Sequence, residues 1–301
     1  MADLADARRF QDLLGENDPQ SPYDYAMLFA GEGFLARWRA KRRFKLLKKI
    51  DTRLRPMLNP GEQVYFVTTG TTVSLAEAFF VGWIAQSLNF RAILFTTERI
   101  ILLEINSRHR PRKLLSQIRY SDIARVTSTW NGICQISLRN KRKLKFQRVP
   151  RAERKFLHHF LSDIVKPTPL LPGERIHAPE HLCPACFKPV EGHPSACPHC
   201  GQAFKSANAA GWLSMLFPGL GDFYLGHRTF ALLEMAGGGF LWLVLIGVPL
   251  LSGGYVDPET GETSALAISY WVSSGIILFI AHLIDAVMTR HFGLKGHYPK
   301  L

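Results

Sequence analysis

Two long apolar stretches near the C-terminus limit most strongly what this chain can fold into. Residues 229–251 read TFALLEMAGGGFLWLVLIGVPLL, and residues 265–288 read ALAISYWVSSGIILFIAHLIDAVM. At ~1.5 Å rise per residue each would extend ~35 Å as a helix, enough to cross the ~30 Å hydrocarbon core of a bilayer. The connecting residues 252–264 hold three acids and neither Lys nor Arg. Lys205 and Arg228 precede the pair, and Arg290, Lys295 and Lys300 follow it. This bias predicts a hairpin with both termini cytoplasmic and the acidic loop outside. An earlier segment, AAGWLSMLFPGLG at 209–221, is too short to span, and Pro218 with its neighbouring glycines interrupts a helix there. It reads as re-entrant or interfacial. The alternative, a third full span, would move the basic C-terminus outside.

This apolar half contains Asp222, Glu234, His282 and Asp285. A carboxylate in lipid is costly unless it is paired, neutralised or wet. Asp222 sits beside the Pro-Gly break, where it can cap a helix start or meet Arg228. His282 and Asp285 are three apart, hence on one helix face. The simplest reading is polar contacts that hold the hairpin together or join copies of it. Close approach at Gly237, Gly238 and Gly239 would help such contacts. The sharper reading is a proton or ion path, or a catalytic carboxylate set.

The rest of the chain is soluble in character and carries most of the net charge of +13. Such an excess points to an anionic partner, and with a membrane half present the anionic membrane surface is a simpler choice than nucleic acid. Residues 1–33 begin MADLADARRFQDLL, with no basic region before an apolar core, so they read as a mobile segment rather than a cleavable leader. Residues 34–58 read as a basic amphipathic helix. Phe34, Trp38, Phe44, Leu47, Ile50 and Leu54 form the expected apolar stripe. The candidate anion- or membrane-surface residues are Arg37, Arg39, Lys41, Arg42, Arg43, Lys45, Lys48 and Lys49. The plainer alternative is a solvated face on a helix packed against its own domain.

Seven strands are predicted at Glu62–Thr68, Arg91–Thr97, Arg99–Ile105, Lys113–Arg119, Ile123–Trp130, Gly132–Arg139 and Arg142–Val149, with short polar turns between most of them. A helix follows from Pro150, with Phe156, Leu157, Phe160 and Ile164 at helical spacing. Cys134, in an alternating run, reads as a small buried hydrophobe. An apolar stretch at 74–89 is too short to span a bilayer; it reads as a helix packed on the sheet, or as a loop dipping into the membrane through Phe79, Phe80 and Trp83. Residues 166–180 contain four prolines and read as an extended linker.

Seven strands followed by one helix, with the segment FRAILFTTERIILLEI, resemble the bacterial pleckstrin-homology-like fold over residues 60–165. The resemblance implies a seven-stranded barrel that binds or assembles rather than catalyses.

Within 181–205 lies CPACFKPVEGHPSACPHCG. Cys183 and Cys186 form one CxxC pair, and Cys197 and Cys200 form another. Two tight turns, each aiming two thiolates, place four sulfurs at the corners of a tetrahedron, which suits zinc. The cluster is similar to a zinc ribbon or a short knuckle variant. Four thiolates close the coordination shell, so the site would be structural; His193 and His199 are alternative ligands, read more simply as exposed neighbours. So small a segment would draw its folding energy from the metal.

PGLGDFYLGHRTFALLE, followed by LIDAV, resembles the TM-two domain family of small membrane hairpins. The resemblance is carried by Gly219, Gly221, Asp222, Phe223, Tyr224, Leu225, Gly226 and then Asp285, and it covers residues 207–290. Asp222 stands alone where many members have a His-Arg pair before FYLG, and the spacer before Asp285 is longer. The resemblance implies architecture rather than a reaction.

The sequence therefore predicts a multidomain α+β chain: a pleckstrin-homology-like barrel, a zinc ribbon, a C-terminal transmembrane hairpin and a basic cytoplasmic tail at 291–301. No HExxH, P-loop, nucleophile elbow or strand-linked GxGxxG occurs. The expected function is an integral membrane scaffold or sensor, with the bilayer, possible anionic lipids, an unidentified protein and further copies of itself as partners. The alternatives are a membrane-tethered nucleic-acid binder and a small membrane enzyme or ion path.

Overall fold

The computed structural model describes residues 21–29, 34–72, 89–128, 133–150, 153, 157, 160, 161, 176, 178–251 and 265–300. The chain divides into two compact units. One comprises Met1–Gly192 with Cys197–Gln202, the other His193–Ala196 with Ala203–Leu301.

In the first unit, helices α1 (Tyr25–Leu28) and α2 (Phe34–Leu54) precede seven strands: β1 Val64–Thr71, β2 Phe90–Thr96, β3 Arg99–Ile105, β4 Pro111–Arg119, β5 Ile123–Ser128, β6 Cys134–Leu138 and β7 Lys143–Phe146. Consecutive strands pair antiparallel within β1–β4 and within β5–β7. Side chains of β2 alternate between two cores. Ala92 and Leu94 face α2 residues Leu47, Ile50 and Leu54, while Ile93 and Phe95 face Ile123, Ile136 and Phe146 of the second sheet. Both faces of the first sheet are thus covered, which explains the unbroken apolar runs of β2 and β3. A register shift between Val64 and Phe66 lets these two residues join different cores although they are two apart.

The expected seven-stranded barrel is corrected to two sheets, which do not close into a barrel among the described residues. The 3-10 turn Tyr120–Asp122 ends β4 and sends β5 into the second sheet. An antiparallel bridge, Thr71 to Gln147, links the end of β1 to the segment after β7. The expected linker also differs at its end: Glu180–His181 forms β8, which pairs antiparallel with β4 at Gln117 and Ser116. Of the helix predicted from Pro150, only positions 153, 157, 160 and 161 are described; Leu157 and Leu161 are buried in the core on the second sheet's side. The 74–89 stretch, apart from Asn89, lies outside the described residues. The segment expected to be mobile is packed where it is described: Tyr23 bridges Val64, and Tyr25, Leu28 and Phe29 are buried.

On α2, the buried Ala40, Arg43, Leu47, Ile50 and Leu54 recur every three or four residues, which is the core-facing stripe. Trp38, expected on that stripe, is 54% exposed.

In the second unit, α3 (Ala207–Leu216) starts at an N-cap where Ser206 accepts from the Ala209 N–H. The chain breaks at Pro218 and at Gly219, whose φ of 85° suits glycine, and resumes as α4 (Leu220–Leu225). Helix α5 (Arg228–Trp242) runs through a π-helical turn, Leu243–Gly247, into α6 (Val248–Leu251), and α7 covers Ala265–Gly293. Ten residues of α3 extend only ~15 Å, too short to span. Two stretches, Arg228–Leu251 and Ile268–Gly293, are long and apolar enough to cross a membrane. Their most apolar parts are only 11% and 22% buried, and Leu232, Leu233, Phe240, Ile276, Phe279 and Ile280 are exposed.

The residues expected as a tail fold back instead. Phe204 bridges Pro299, the Lys205 N–H donates to Tyr298 at 2.8 Å, and His297 and Tyr298 are buried.

Candidate functional site

The cysteine cluster is built from two nearly equivalent turns. In the first, the Phe187 N–H donates to the Cys183 carbonyl and the Cys183 N–H to the Lys188 carbonyl. In the second, the Gly201 N–H donates to Cys197 and the Cys197 N–H to Gln202. The residue after each second cysteine is left-handed: Phe187 at φ 60° and Gly201 at φ 73°. Within each turn a further N–H, from Ala185 or His199, points at the first cysteine's sulfur at 3.4 Å.

All four sulfurs lie within 4.8 Å of one another. The Cys183–Cys200 and Cys186–Cys197 pairs are each 3.7 Å apart. An ion ~2.3 Å from four tetrahedral sulfurs needs them ~3.8 Å apart. The cluster can therefore hold a metal ion. At Cys197, burial opposes the thiolate, but the His199 and Cys200 N–H groups outweigh it and bring the thiol down to about 7. Neither His193 nor His199 joins the ligand set.

The first turn is tied to the sheet. Leu182, one residue before Cys183, is buried in the core beside Leu115, and its N–H donates to the Leu115 carbonyl. Arg53 of α2 donates to the Pro184 carbonyl at 2.5 Å, and its guanidinium lies 5.2 Å over the Phe187 ring. Spacing pointed to the four cysteines that the fold brings together; β8, Arg53 and the role of Phe187 had no local signal.

The basic residues of α2 do not act as one surface. Lys41, Arg42, Lys45, Lys48 and Lys49 are exposed and Arg39 is half-buried. The side chain of Arg37 lies outside the described set. Arg43 corrects the expectation: it is buried, 3.3 Å from Glu153, and donates to the Leu28 carbonyl. Lys49 donates to the Arg108 carbonyl in the β3–β4 turn. Burial, with Lys49 and Arg42 nearby, holds His109 of that turn below its ordinary pKa.

In the second unit, Asp222 is fully buried and meets His227 rather than Arg228. His227 Nδ1 donates to one carboxylate oxygen at 2.6 Å and the Thr289 hydroxyl to the other at 2.7 Å. Ser214 donates to Thr289, and Tyr298 approaches His227 Nε2 at 3.2 Å. Asp222 is thus the hub that joins α4 to α3, α7 and the returning chain end.

Asp285 accepts from the Gly219 N–H at 3.0 Å. His282 accepts from Trp242 Nε1, so its Nδ1 carries the proton and donates to the Met215 carbonyl. Asp222, Glu234 and Asp285 have carboxylate oxygens within 4.8 Å of one another, and Glu234 Oε2 is buried with no hydrogen-bond partner among the described residues. Glu234, His282 and Asp285 also line a cavity of about 210 Å³. The sequence reading missed His227, Thr289, Ser214 and Tyr298. Only His227, five residues from Asp222, was close enough along the chain to be suspected.

The fold and these sites define a mixed α+β protein with a four-cysteine centre able to hold a metal and two helices able to cross a membrane. Comparison with family models, curated proteins and solved structures finds no match to this chain.

Proposed function

We propose that the chain is an integral membrane scaffold or sensor whose pleckstrin-homology-like domain is braced by a zinc knuckle and anchored by a TM-two-like hairpin. The observation that carries this reading is the exposure of apolar side chains along both long helices, which only lipid or another apolar partner would cover. The four-plus-three strand order, with Leu157 and Leu161 packed into the core that the two sheets share, supports the pleckstrin-homology-like assignment. The sulfur spacing and the soft ligand set support zinc. A closed ligand shell and buried docking contacts support a structural rather than catalytic metal. In this reading both termini are cytoplasmic, α3 and α4 form the interfacial or re-entrant segment, and the soluble domain recruits a protein or anionic lipid.

Alkaline extraction of membranes and impermeant-thiol labelling test the anchor. With the native cysteines replaced outside the metal set, a cysteine at Thr260 should label from outside and one at Lys300 only after permeabilisation. Extraction by carbonate, or the reverse labelling pattern, would sink the reading.

A second reading, a proton or cation path, is favoured by the three adjoining carboxylates and the cavity beside them. It requires that Glu234→Gln and Asp285→Asn abolish flux in proteoliposomes while both variants stay folded.

A further inference from the structure

The second unit contains a cavity of about 210 Å³ between α5 and α7, beside the break at Pro218. At the ~0.75 packing density of protein interiors it has room for roughly ten non-hydrogen atoms. Its apolar wall includes Leu241, Trp242 and Ala281, none of them fully buried. Gly237 and Gly238 line it without side chains, and a Cβ at Gly237 would meet nothing within 4 Å.

The polar wall is acidic. Glu234 and Asp285 line the cavity, with carboxylate oxygens within 4.8 Å of each other. Neither forms an ion pair with Lys or Arg among the described residues. Of the cations flanking the hairpin, Lys205 donates to the Tyr224 carbonyl and Arg290 to Asn208. His282 adds no charge, since its Nε2 accepts from Trp242 and its Nδ1 donates to the Met215 carbonyl. Asp285 has the Gly219 N–H as a donor, but Glu234 Oε2 is buried with no partner among the described residues. Adjacent carboxyls in apolar surroundings call for a proton or a positive charge, and an orphaned oxygen calls for a donor.

A divalent metal suits this wall poorly. Calcium and magnesium take at least ~six oxygens, and the cavity lining offers no side-chain oxygens beyond these two carboxyls. The neighbouring Asp222 has both oxygens engaged, by His227 and Thr289. What the cavity adds is an aromatic surface. Trp242 is 41% exposed, and its Nε1 is fixed to His282 at 3.1 Å. It stands at the start of the π-helical turn, a rare feature that recurs at functional sites.

We propose that this cavity binds a lipophilic amine as its ammonium ion, with the charged head on Glu234 and Asp285 and the apolar body against Leu241, Trp242 and Ala281. Carboxylates form charge-assisted hydrogen bonds with the head, and the indole attracts an organic cation. The inference rests on the cation reading above and narrows it from any proton or ion to an organic ammonium.

The test uses the full chain in phosphatidylcholine nanodiscs, titrated calorimetrically with 2-phenylethylamine, with 2-phenylethanol and with calcium chloride, against empty nanodiscs. Saturable binding of the amine, much tighter than that of the alcohol, is expected. Glu234→Gln with Asp285→Asn should raise the Kd about a hundredfold, roughly tenfold per charge-assisted contact. Trp242→Leu should raise it about fivefold. Gly237→Leu, which fills the cavity and keeps every charge, should also weaken binding. Glu191→Gln, exposed outside the hairpin, should leave it unchanged.

Equal binding of the alcohol would overturn the ammonium assignment and leave an apolar pocket. Calcium binding with no response to the amine would replace it with a metal site. Equal losses from Glu191→Gln and the double variant would overturn the site in favour of diffuse attraction, and absence of binding would overturn it altogether. Flux of inorganic cations in proteoliposomes judges the broader reading separately: no flux with saturable amine binding removes the path and keeps the site. A chain that fails to enter nanodiscs sinks the membrane reading, and the same titration in mild detergent then judges the cavity.

Discussion

At the scale of single residues, charges in apolar surroundings are tolerated only through particular partners. Glu62 has a fully buried carboxylate, bonded by Arg99 at 2.8 Å, by the Asn59 N–H and by the Thr96 hydroxyl. Burial alone would raise its pKa, but these bonds outweigh burial and hold it below the usual carboxylate range. Its contribution to stability is therefore complete above the unfolded-state value of ~4.3 and is lost as pH falls through the lower folded value. Glu62→Gln should cost about 3 kcal/mol near pH 7 by leaving Arg99 opposite a neutral amide. It should also flatten the acid limb of stability measured by denaturant titration across pH. An unchanged acid limb would show that other carboxylates carry it. Gly221 is constrained by space: a Cβ there would lie 2.1 Å from the Ala210 carbonyl oxygen and 2.7 Å from the Thr289 methyl. Gly221→Ala should separate α4 from α3 and α7 and lower the thermal midpoint in detergent, by an amount matching at least ~1–3 kcal/mol. Asp222 shows why such contacts escape local reading. Its charge was plain in the sequence, but Thr289 lies 67 residues away.

Among the elements, β8 leads into the cysteine turns and pairs with β4, so a metal held by the four sulfurs would brace that sheet edge. Cys183→Ser, or a strong chelator, should remove one metal equivalent per chain. Hydrogen exchange should then rise through residues 180–202 and at Gln117, which faces Glu180, while the central strands β2 and β3 stay protected. Exchange confined to the cysteine turns would show that β8 holds without the metal. The linker prolines gave no hint of β8, because a two-residue strand has no periodicity of its own and exists only through its partner edge. Helix α2 was legible in outline, since its stripe recurs at three and four. The assignment of Arg43 to the surface failed because an arginine reads as exposed until a buried carboxylate is brought to it, and Glu153 is 110 residues further on.

For the molecule as a whole, the approximate positions of β1 to β7, the four cysteines able to hold a metal and the two membrane-length helices were determined by the sequence alone. Each depends on spacing or length along a continuous segment, and the chain carries that information locally. Tertiary structure decided the rest: that seven strands divide into two sheets, that β8 fastens the cysteine turns to the first, and that Asp222 joins His227 and Thr289. The reason is physical. Apolar periodicity states how much surface an element must bury but not against what, and a polar group's partner is chosen by packing between segments far apart in the chain.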